Sequence, residues 1–81
     1  MPIRVLFFAG LAEAAGIREA ELDVSACSDV ASVFDRYARE FPGLKAYRAS
    51  LLCAINSDFA RPDSHVHDGD EIAFFPPVSG G

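Results

Sequence analysis

The sequence is poor in basic residues. It has one lysine and six arginines against 12 acidic residues, and its formal net charge is −5. These cations are scattered along the chain, so no basic patch is available to neutralise phosphates. We therefore expect no nucleic acid partner. An acidic protein is instead attracted to partners with basic surfaces, such as enzymes that bind phosphates.

Long apolar runs and cysteines are also scarce. No window approaches the roughly 18 consecutive apolar residues of a membrane span, and the alternating N-terminal stretch does not resemble a signal peptide. We expect a cytoplasmic protein that binds no membrane. Its two cysteines, Cys27 and Cys53, are expected to be free thiols, because disulfides are rare in the cytoplasm. The sequence assigns no role to either.

Groupings typical of metal and catalytic sites are missing as well. His65 and His67 offer two ligands, but no matching set supplies the three or four that zinc needs. The acidic residues 68–71 lack the spacing of a calcium loop and fit a turn better. We expect Val66 to anchor this segment, and we expect the chain itself to bind no metal or cofactor.

The sequence does contain alternating apolar segments, which predict β-strands. A helical turn is predicted for residues 11–16, whereas residues 44–50 leave a second short helix open. The predicted strands, in chain order, are residues 3–9, 18–24, 51–55, 59–60 and 71–75, with a turn at residues 56–58.

Residues 30–41 carry apolar side chains at helical spacing, which predicts one amphipathic helix packed against a core. Ser28 is the predicted cap at the start of this helix, and Pro42-Gly43 ends it. On its solvent side we expect Asp35 and Arg39 to form a pair at i,i+4, which contributes little to stability.

This order of elements indicates an α+β protein with a β-grasp, ubiquitin-like fold. A mixed sheet of four to five strands would carry one main helix across one face. The last strand would lie beside the first, at the middle of the sheet. We expect residues 1–75 to form this domain and residues 76–81 to form a flexible tail that ends in Gly-Gly.

Apolar side chains are also expected on the sheet face that has no helix. If Phe7 faces the helix, then Leu6 and Phe8 face away, because neighbours on a strand point to opposite sides. Phe75 faces outward by the same argument, and Phe59 is a further candidate. Such patches commonly mark partner surfaces, so we predict an interface at these four outward residues. The alternative is that loops cover them or that they are ordinary exposed residues.

The predicted tail consists of Pro76, Pro77, Val78, Ser79, Gly80 and Gly81. Prolines cannot donate to a strand ladder and favour an extended path, and six residues reach about 20 Å. Glycines fit a channel too narrow for side chains. The reactive group would be the α-carboxylate of Gly81, which must be activated, for example as an acyl-adenylate, before sulfur or an amine attacks. An inert, frayed terminus is the alternative.

Three stretches of the sequence, LFFA (residues 6–9), AIN (residues 54–56) and DGDEIAFFPPVSGG (residues 68–81), closely resemble the small subunit of molybdopterin synthase, the MoaD family. The resemblance implies that an adenylating enzyme of the ubiquitin-activating type uses ATP to activate Gly81. A persulfide donor would then convert it to a thiocarboxylate. The tail would enter the large synthase subunit, where sulfur passes to cyclic pyranopterin monophosphate to form molybdopterin.

The same resemblance implies a heterotetramer of two small and two large subunits, with the catalytic side chains on the large subunit. This chain would then be a non-catalytic carrier, and its Phe8 and Phe75 match aromatic positions of the family. A related carrier for thiazole synthesis or tRNA thiolation stays open, although FFPPVSGG favours the first interpretation. A ubiquitin-like protein modifier and a plain interaction module are further alternatives.

Overall fold

The computed structural model describes residues 2–23 and 28–77, in the predicted order of elements. None of the helices in this part of the chain has the length and apolar character needed to span a bilayer. The strands are β1 (Ile3–Phe7), β2 (Glu19–Leu22), β3 (Leu52–Ile55), β4 (Asp58–Ala60) and β5 (Glu71–Phe75); the helices are α1 (Gly10–Ala15), α2 (Val30–Glu40) and a 3₁₀ helix (Pro42–Ser50).

The five strands form one mixed sheet in the order β2-β1-β5-β3-β4. Strands β1 and β5 are parallel, and the other neighbouring pairs are antiparallel. The last strand therefore lies beside the first at the centre of the sheet. This arrangement confirms the predicted α+β class with a β-grasp topology.

The core lies between α2 and one face of the sheet, here called the inner face. Alternation along the strands and helical spacing along α2 bring their apolar side chains into this one layer. Fully burying a large apolar side chain stabilises the fold by about 1.5–3 kcal/mol, so this layer dominates the stability of the domain. Its fully buried members are Ile3, Val5, Leu11, Val30, Val33, Phe34, Leu44, Ile72 and Phe74.

Helix α2 begins differently from the prediction. Asp29, and not Ser28, is the N-cap, and its carboxylate accepts a hydrogen bond from the Ser32 backbone N–H at 2.8 Å. That hydrogen bond lowers the pKa of Asp29. The helix begins at Val30, so Asp29 and not Ser28 directly precedes it, while the Ser28 backbone carbonyl accepts a hydrogen bond from the Val66 N–H at 3.1 Å.

The segment between β4 and β5 completes this helix start. Pro62 and Ser64 offer carbonyls to the backbone N–H groups of Ala31 and Val30, at 2.8 and 3.1 Å. These N–H groups belong to the first turn, which has no partner within the helix itself. Val66 is buried, so the prediction that it anchors this segment is confirmed.

The 3₁₀ helix changes the predicted ion pairs of α2. Arg48 on the 3₁₀ helix donates from Nε to Asp35 Oδ1 at 2.9 Å, so the predicted pair of Asp35 with Arg39 is wrong. Arg36 and Glu40 form the i,i+4 pair of this helix, at 3.9 Å. All four partners are exposed, so each pair contributes at most about 1 kcal/mol.

A polar network fixes the start of β5. Asn56 and Ser57 form a tight turn with φ values of 51° and 73°, and β4 already begins at Asp58. The Asn56 side chain donates to Asp70 Oδ1 and accepts from the Glu71 N–H, each at 3.0 Å. The turn and the first residue of the central strand are therefore held together at the end of the sheet opposite the tail.

Candidate functional site

The predicted interface residues lie on the sheet face opposite α2, here called the outer face. On β1, Phe7 is buried in the core, whereas Leu6 is half-buried and Phe8, just beyond the strand, is 42% exposed. On β5 the same alternation leaves Phe75 half-buried. Phe59 on the edge strand β4 is 85% exposed. The structure thus brings all four predicted residues to one face.

Phe8 and Phe75 stack at one end of the outer face. Their ring centroids are 4.8 Å apart and the rings are within 10° of parallel. The Phe8 N–H donates to the Phe74 carbonyl at 3.2 Å, which extends the β1–β5 ladder by one rung. Because β5 ends at Phe75, the stacked rings lie beside Pro76 and Pro77, the described part of the predicted tail.

A shallow hollow, here called the central hollow, lies beside the stacked rings. Across the sheet, Leu6 is opposite Ala73, Ala73 is opposite Ala54, and Ala54 is opposite Phe59. The two alanines form a low floor between taller side chains, and the hollow has a volume of about 280 Å³. An apolar floor with aromatic walls suits a protruding apolar side chain of a partner.

Sequence reasoning missed three members of this face. Ala54 and Ala73 form the floor, and Leu52, which is 37% exposed, lies opposite Phe75 on β3. Leu52 therefore carries the apolar surface to the other side of the tail base. Alternation within LLCAI and EIAFF would have placed all three outward once Cys53, Ile72 and Phe74 were assigned to the core.

The outer face becomes charged away from the tail. Arg4 donates from Nη2 to Glu19 Oε1 at 2.8 Å, and its Nη1 lies 3.5 Å from Glu71 Oε2. The hydrogen bond to Glu19, together with the nearby carboxylates, raises the pKa of Arg4. The face is thus apolar beside the tail and acidic with one embedded cation at its far end, so it can orient a partner as well as bind one.

A second, wider hollow, here called the side hollow, opens on the α1 side of Phe8. Its volume is about 700 Å³, and Leu6 and Phe8 line it as they line the central hollow. Ala12, Ile17 and the charged residues Glu13, Arg18 and Glu19 complete most of its walls. Ala9 also borders it, with the unusual backbone angles φ 51° and ψ −129°.

Cys53 lies outside this site. Its thiol is buried on the inner face and donates to the Ala60 carbonyl at 3.3 Å, and burial raises the pKa of the thiol. A thiol that resists ionisation is a poor nucleophile. The structure therefore supports the interpretation of Cys53 as a free core thiol.

The two histidines lie in different local structures: His65 forms an isolated antiparallel bridge with Asp29, and His67 precedes a turn. His67 donates its backbone N–H to Asp70 Oδ2 at 2.8 Å, and its Nδ1 lies 3.7 Å from the same oxygen. Over residues 2–23 and 28–77, the side chains form no group of three or more potential metal ligands. Asp70 thus takes part in turn chemistry, as predicted.

The reactive end of the predicted tail, from Val78 to Gly81, lies outside the described residues, as do Val24 and Cys27. The roles of Val78, Ser79, Gly80 and Gly81 therefore stay predictions, and so does the division into residues 1–75 and 76–81. What the structure defines is the base from which residue 78 continues, at the end of the central strand.

Comparisons with known proteins point to one family. The ThiS family matches residues 5–81. The molybdopterin synthase sulfur carrier subunit of Escherichia coli (strain K12) is 39% identical, over 98% of this chain and 99% of its own length. The protein of the same name from Chlamydomonas reinhardtii is 31% identical over the full length of both chains. The small archaeal modifier protein 1 of Methanosarcina acetivorans superposes with a TM-score of 0.81 at 30% identity, covering 99% of this chain and 96% of that one.

Proposed function

The chain belongs to the ThiS family, and we propose that it is the sulfur carrier subunit of a molybdopterin synthase. The observation that carries this proposal is the position of β5. The strand that ends in Phe74 and Phe75 and leads into PPVSGG lies at the centre of the sheet and contributes to its apolar outer face. A partner bound on that face would receive the tail at a fixed position. The full-length similarity to proteins of this name supports the same function.

The chemistry belongs to the α-carboxylate of Gly81. An adenylating enzyme of the ubiquitin-activating type joins this carboxylate to the α-phosphate of ATP, and pyrophosphate leaves. A persulfide donor then attacks the acyl carbon and AMP leaves. Thiol cleavage of the resulting acyl disulfide yields the Gly81 thiocarboxylate and a disulfide. The carrier therefore needs no bound cofactor of its own, because ATP is used by the activating partner.

Transfer takes place in the large subunit of the synthase. The extended tail carries the thiocarboxylate to cyclic pyranopterin monophosphate, and the carrier returns to its carboxylate form. The dithiolene of molybdopterin contains two sulfur atoms, so two charged carriers are used, and we assign the complex two small and two large subunits. The catalytic side chains belong to the large subunit, and we place the reaction in the cytoplasm, where ATP is available.

In this proposal the outer face is the surface that binds the large subunit. Leu6, Phe8, Phe59 and Phe75 bind the partner through apolar contact beside the tail base, where burial contributes about 25 cal/mol for each Å². Arg4 and its two carboxylate partners lie further from the tail and would set the orientation in which the large subunit binds. The central strand β5 then fixes the position at which the extended tail begins. The tail has fewer orientations available to it, which lowers the entropic cost of bringing its end to the substrate.

A ubiquitin-like protein modifier is the second candidate. It is favoured by the similarity to the small archaeal modifier protein 1. The same activated Gly81 would then be attacked by the amine of a lysine on another protein, which gives an isopeptide instead of a thiocarboxylate. The two functions share the fold and the activation step and differ in the nucleophile.

Mass spectrometry of the chain isolated from its own cells separates the candidates. A carrier appears as the free chain with one oxygen of Gly81 replaced by sulfur, and this species reacts with iodoacetamide. A modifier appears as branched peptides in which Gly81 is joined to lysines. The chain that lacks Gly81 is the matched control. Branched peptides as the main product, without any thiocarboxylate, would contradict the proposed function.

A further inference from the structure

We propose that the large-subunit contact continues past Phe8 into the side hollow, where that subunit inserts an apolar side chain accompanied by a cation. This inference rests on the proposed function, because it extends the same docking surface. It adds α1 and the start of β2 to a contact that sequence reasoning confined to the sheet face.

Continuity with the outer face is the first argument. Leu6 and Phe8 line both hollows, so they form the ridge that separates them. Phe8 retains 42% of its surface although it stacks on Phe75. A partner that buries the rest of Phe8 must therefore also reach the edge of the side hollow.

The residues that line the side hollow indicate which side chains of the large subunit would fit there. Ala12 and Ile17 provide apolar surface, and the charged residues of the walls are Glu13, Arg18 and Glu19. Glu19 already binds Arg4 at 2.8 Å, which leaves the exposed Glu13 on α1 as the main partner for an incoming charge. The hollow is thus complementary to an apolar side chain next to a lysine or arginine.

The backbone of Ala9 is the second, independent argument. Its φ of 51° and ψ of −129° are unfavourable for a residue with a Cβ, whereas glycine adopts such angles readily. Non-glycine residues in such regions are strained and cluster at functional sites. Ala9 is exposed and borders the side hollow, so its methyl group is available to a partner. Contact with the large subunit explains why a methyl group is present where glycine would fit the turn better.

The test is a calorimetric titration of the cognate large subunit with the full-length carrier and its variants. Ala9→Gly should weaken binding about threefold to fourfold, which is the expected effect of one methyl group, without lowering the melting temperature. Glu13→Arg should weaken binding at least about fivefold and reduce its dependence on salt. Glu13→Gln serves as a milder second variant in case the reversal disturbs α1.

Matched controls lie away from the hollow. Ala46→Gly removes an exposed methyl group on the 3₁₀ helix, and Glu40→Arg reverses an exposed charge on α2. Both should bind nearly as the wild type does, which separates local contact from the effect of net charge. Equal changes in Glu13→Arg and Glu40→Arg, together with an unaltered Ala9→Gly, would overturn the inference.

The same titration distinguishes this inference from the proposed function. If the folded wild type does not bind the large subunit, the proposed function fails and the inference fails with it. If Phe75→Ala loses binding while Ala9→Gly, Glu13→Arg and Glu13→Gln bind as the wild type does, the function stands and the inference alone is wrong. Weaker binding by the Ala9 and Glu13 variants, against unaltered controls, supports both.

Discussion

The sequence Phe-Phe occurs twice, at the end of β1 (Phe7 and Phe8) and at the end of β5 (Phe74 and Phe75), and each occurrence places one ring on each face of the sheet. On the inner face, Phe7 and Phe74 have ring centroids 5.9 Å apart and are 2% and 0% exposed. On the outer face, Phe8 and Phe75 stack at 4.8 Å, yet Phe8 is 42% exposed. Identical side chains at the ends of two neighbouring parallel strands therefore have different surroundings.

The difference lies in what covers each pair. Tyr37 of α2 packs edge-on against Phe7 at 5.4 Å, and Phe34 packs against Phe74 at 5.2 Å. These contacts enclose the inner pair within the fold. Within residues 2–23 and 28–77, no helix packs on the outer pair, which borders the central hollow, the side hollow and the tail base. The inner pair thus contributes to folding, and the outer pair leaves apolar surface for a partner.

Removing Gly81 should separate function from folding more completely than any change to the rings. We expect complete loss of sulfur transfer, because the proposed sulfur-carrying group is gone, and an unchanged melting temperature. Synthase assays and thermal melts of the truncated chain check both parts. A large drop in melting temperature would mean that the end of the tail belongs to the folded domain.

Phe74→Ala should give the largest loss of stability. Truncation of a fully buried phenylalanine costs about 3–5 kcal/mol, which is a large part of the stability of a small domain. Urea unfolding followed by far-UV circular dichroism measures the loss. A smaller loss of unfolding free energy than that of Phe75→Ala would contradict the comparison, because the outer pair would then stabilise the fold more than the inner pair does.

Phe75→Ala should have the opposite profile. We expect large-subunit binding to weaken by about 2 kcal/mol, or roughly thirtyfold, as for an aromatic residue central to an interface. Folding should lose only about 1 kcal/mol, in line with one aromatic pair contact. Binding titrations and melts of the same sample provide both values. A greater effect on folding than on binding would contradict the role assigned to the outer face.

Asp29→Ala should have a smaller effect, confined to folding. Loss of the N-cap costs about 1 kcal/mol at neutral pH, and sulfur transfer by the folded protein should not change. The pKa of Asp29 is lowered in the folded state, so its contribution is present above the unfolded pKa of about 3.9 and is lost as pH falls through the lower folded value. Denaturant titrations at several pH values check this.

Asp29→Asn is the matched control, because it keeps an oxygen that accepts from Ser32. It should lose less stability than Asp29→Ala at neutral pH, and it removes the carboxyl group that titrates. If the difference between the wild type and Asp29→Ala stays constant well below the folded pKa, the ionised carboxylate is not the source of the capping energy.

Much of the fold could be predicted because its signals are local. Alternation in IRVLF and EIAFF predicted β1, β5 and the two faces of the sheet, while helical spacing predicted α2 and Pro42 marked its end. These signals depend only on the period of each element. The outward placement of Phe8 and Phe75 follows from them directly.

The errors concern contacts between distant segments. Ser28 was a reasonable cap by residue type, but the helix begins at Val30, where the backbone N–H groups of Val30 and Ala31 bind carbonyls of residues 62–64, and Asp29 is the cap. Asp35 pairs with Arg48 because the 3₁₀ helix packs against α2. Neither contact leaves a periodic trace in the sequence. The alanine floor of the central hollow was missed for a related reason, since small side chains mark a site only when the taller neighbours across the sheet are known.

The most direct test of the account is molybdopterin formation from three purified components. These are the chain with a Gly81 thiocarboxylate, prepared by intein cleavage, the large synthase subunit, and cyclic pyranopterin monophosphate. We predict product with the thiocarboxylate and none with the same chain carrying an ordinary carboxylate. No product from the thiocarboxylate, with a large subunit shown to be active with another carrier, would contradict the assignment and move the acceptor to a thiazole precursor, tRNA or a protein lysine.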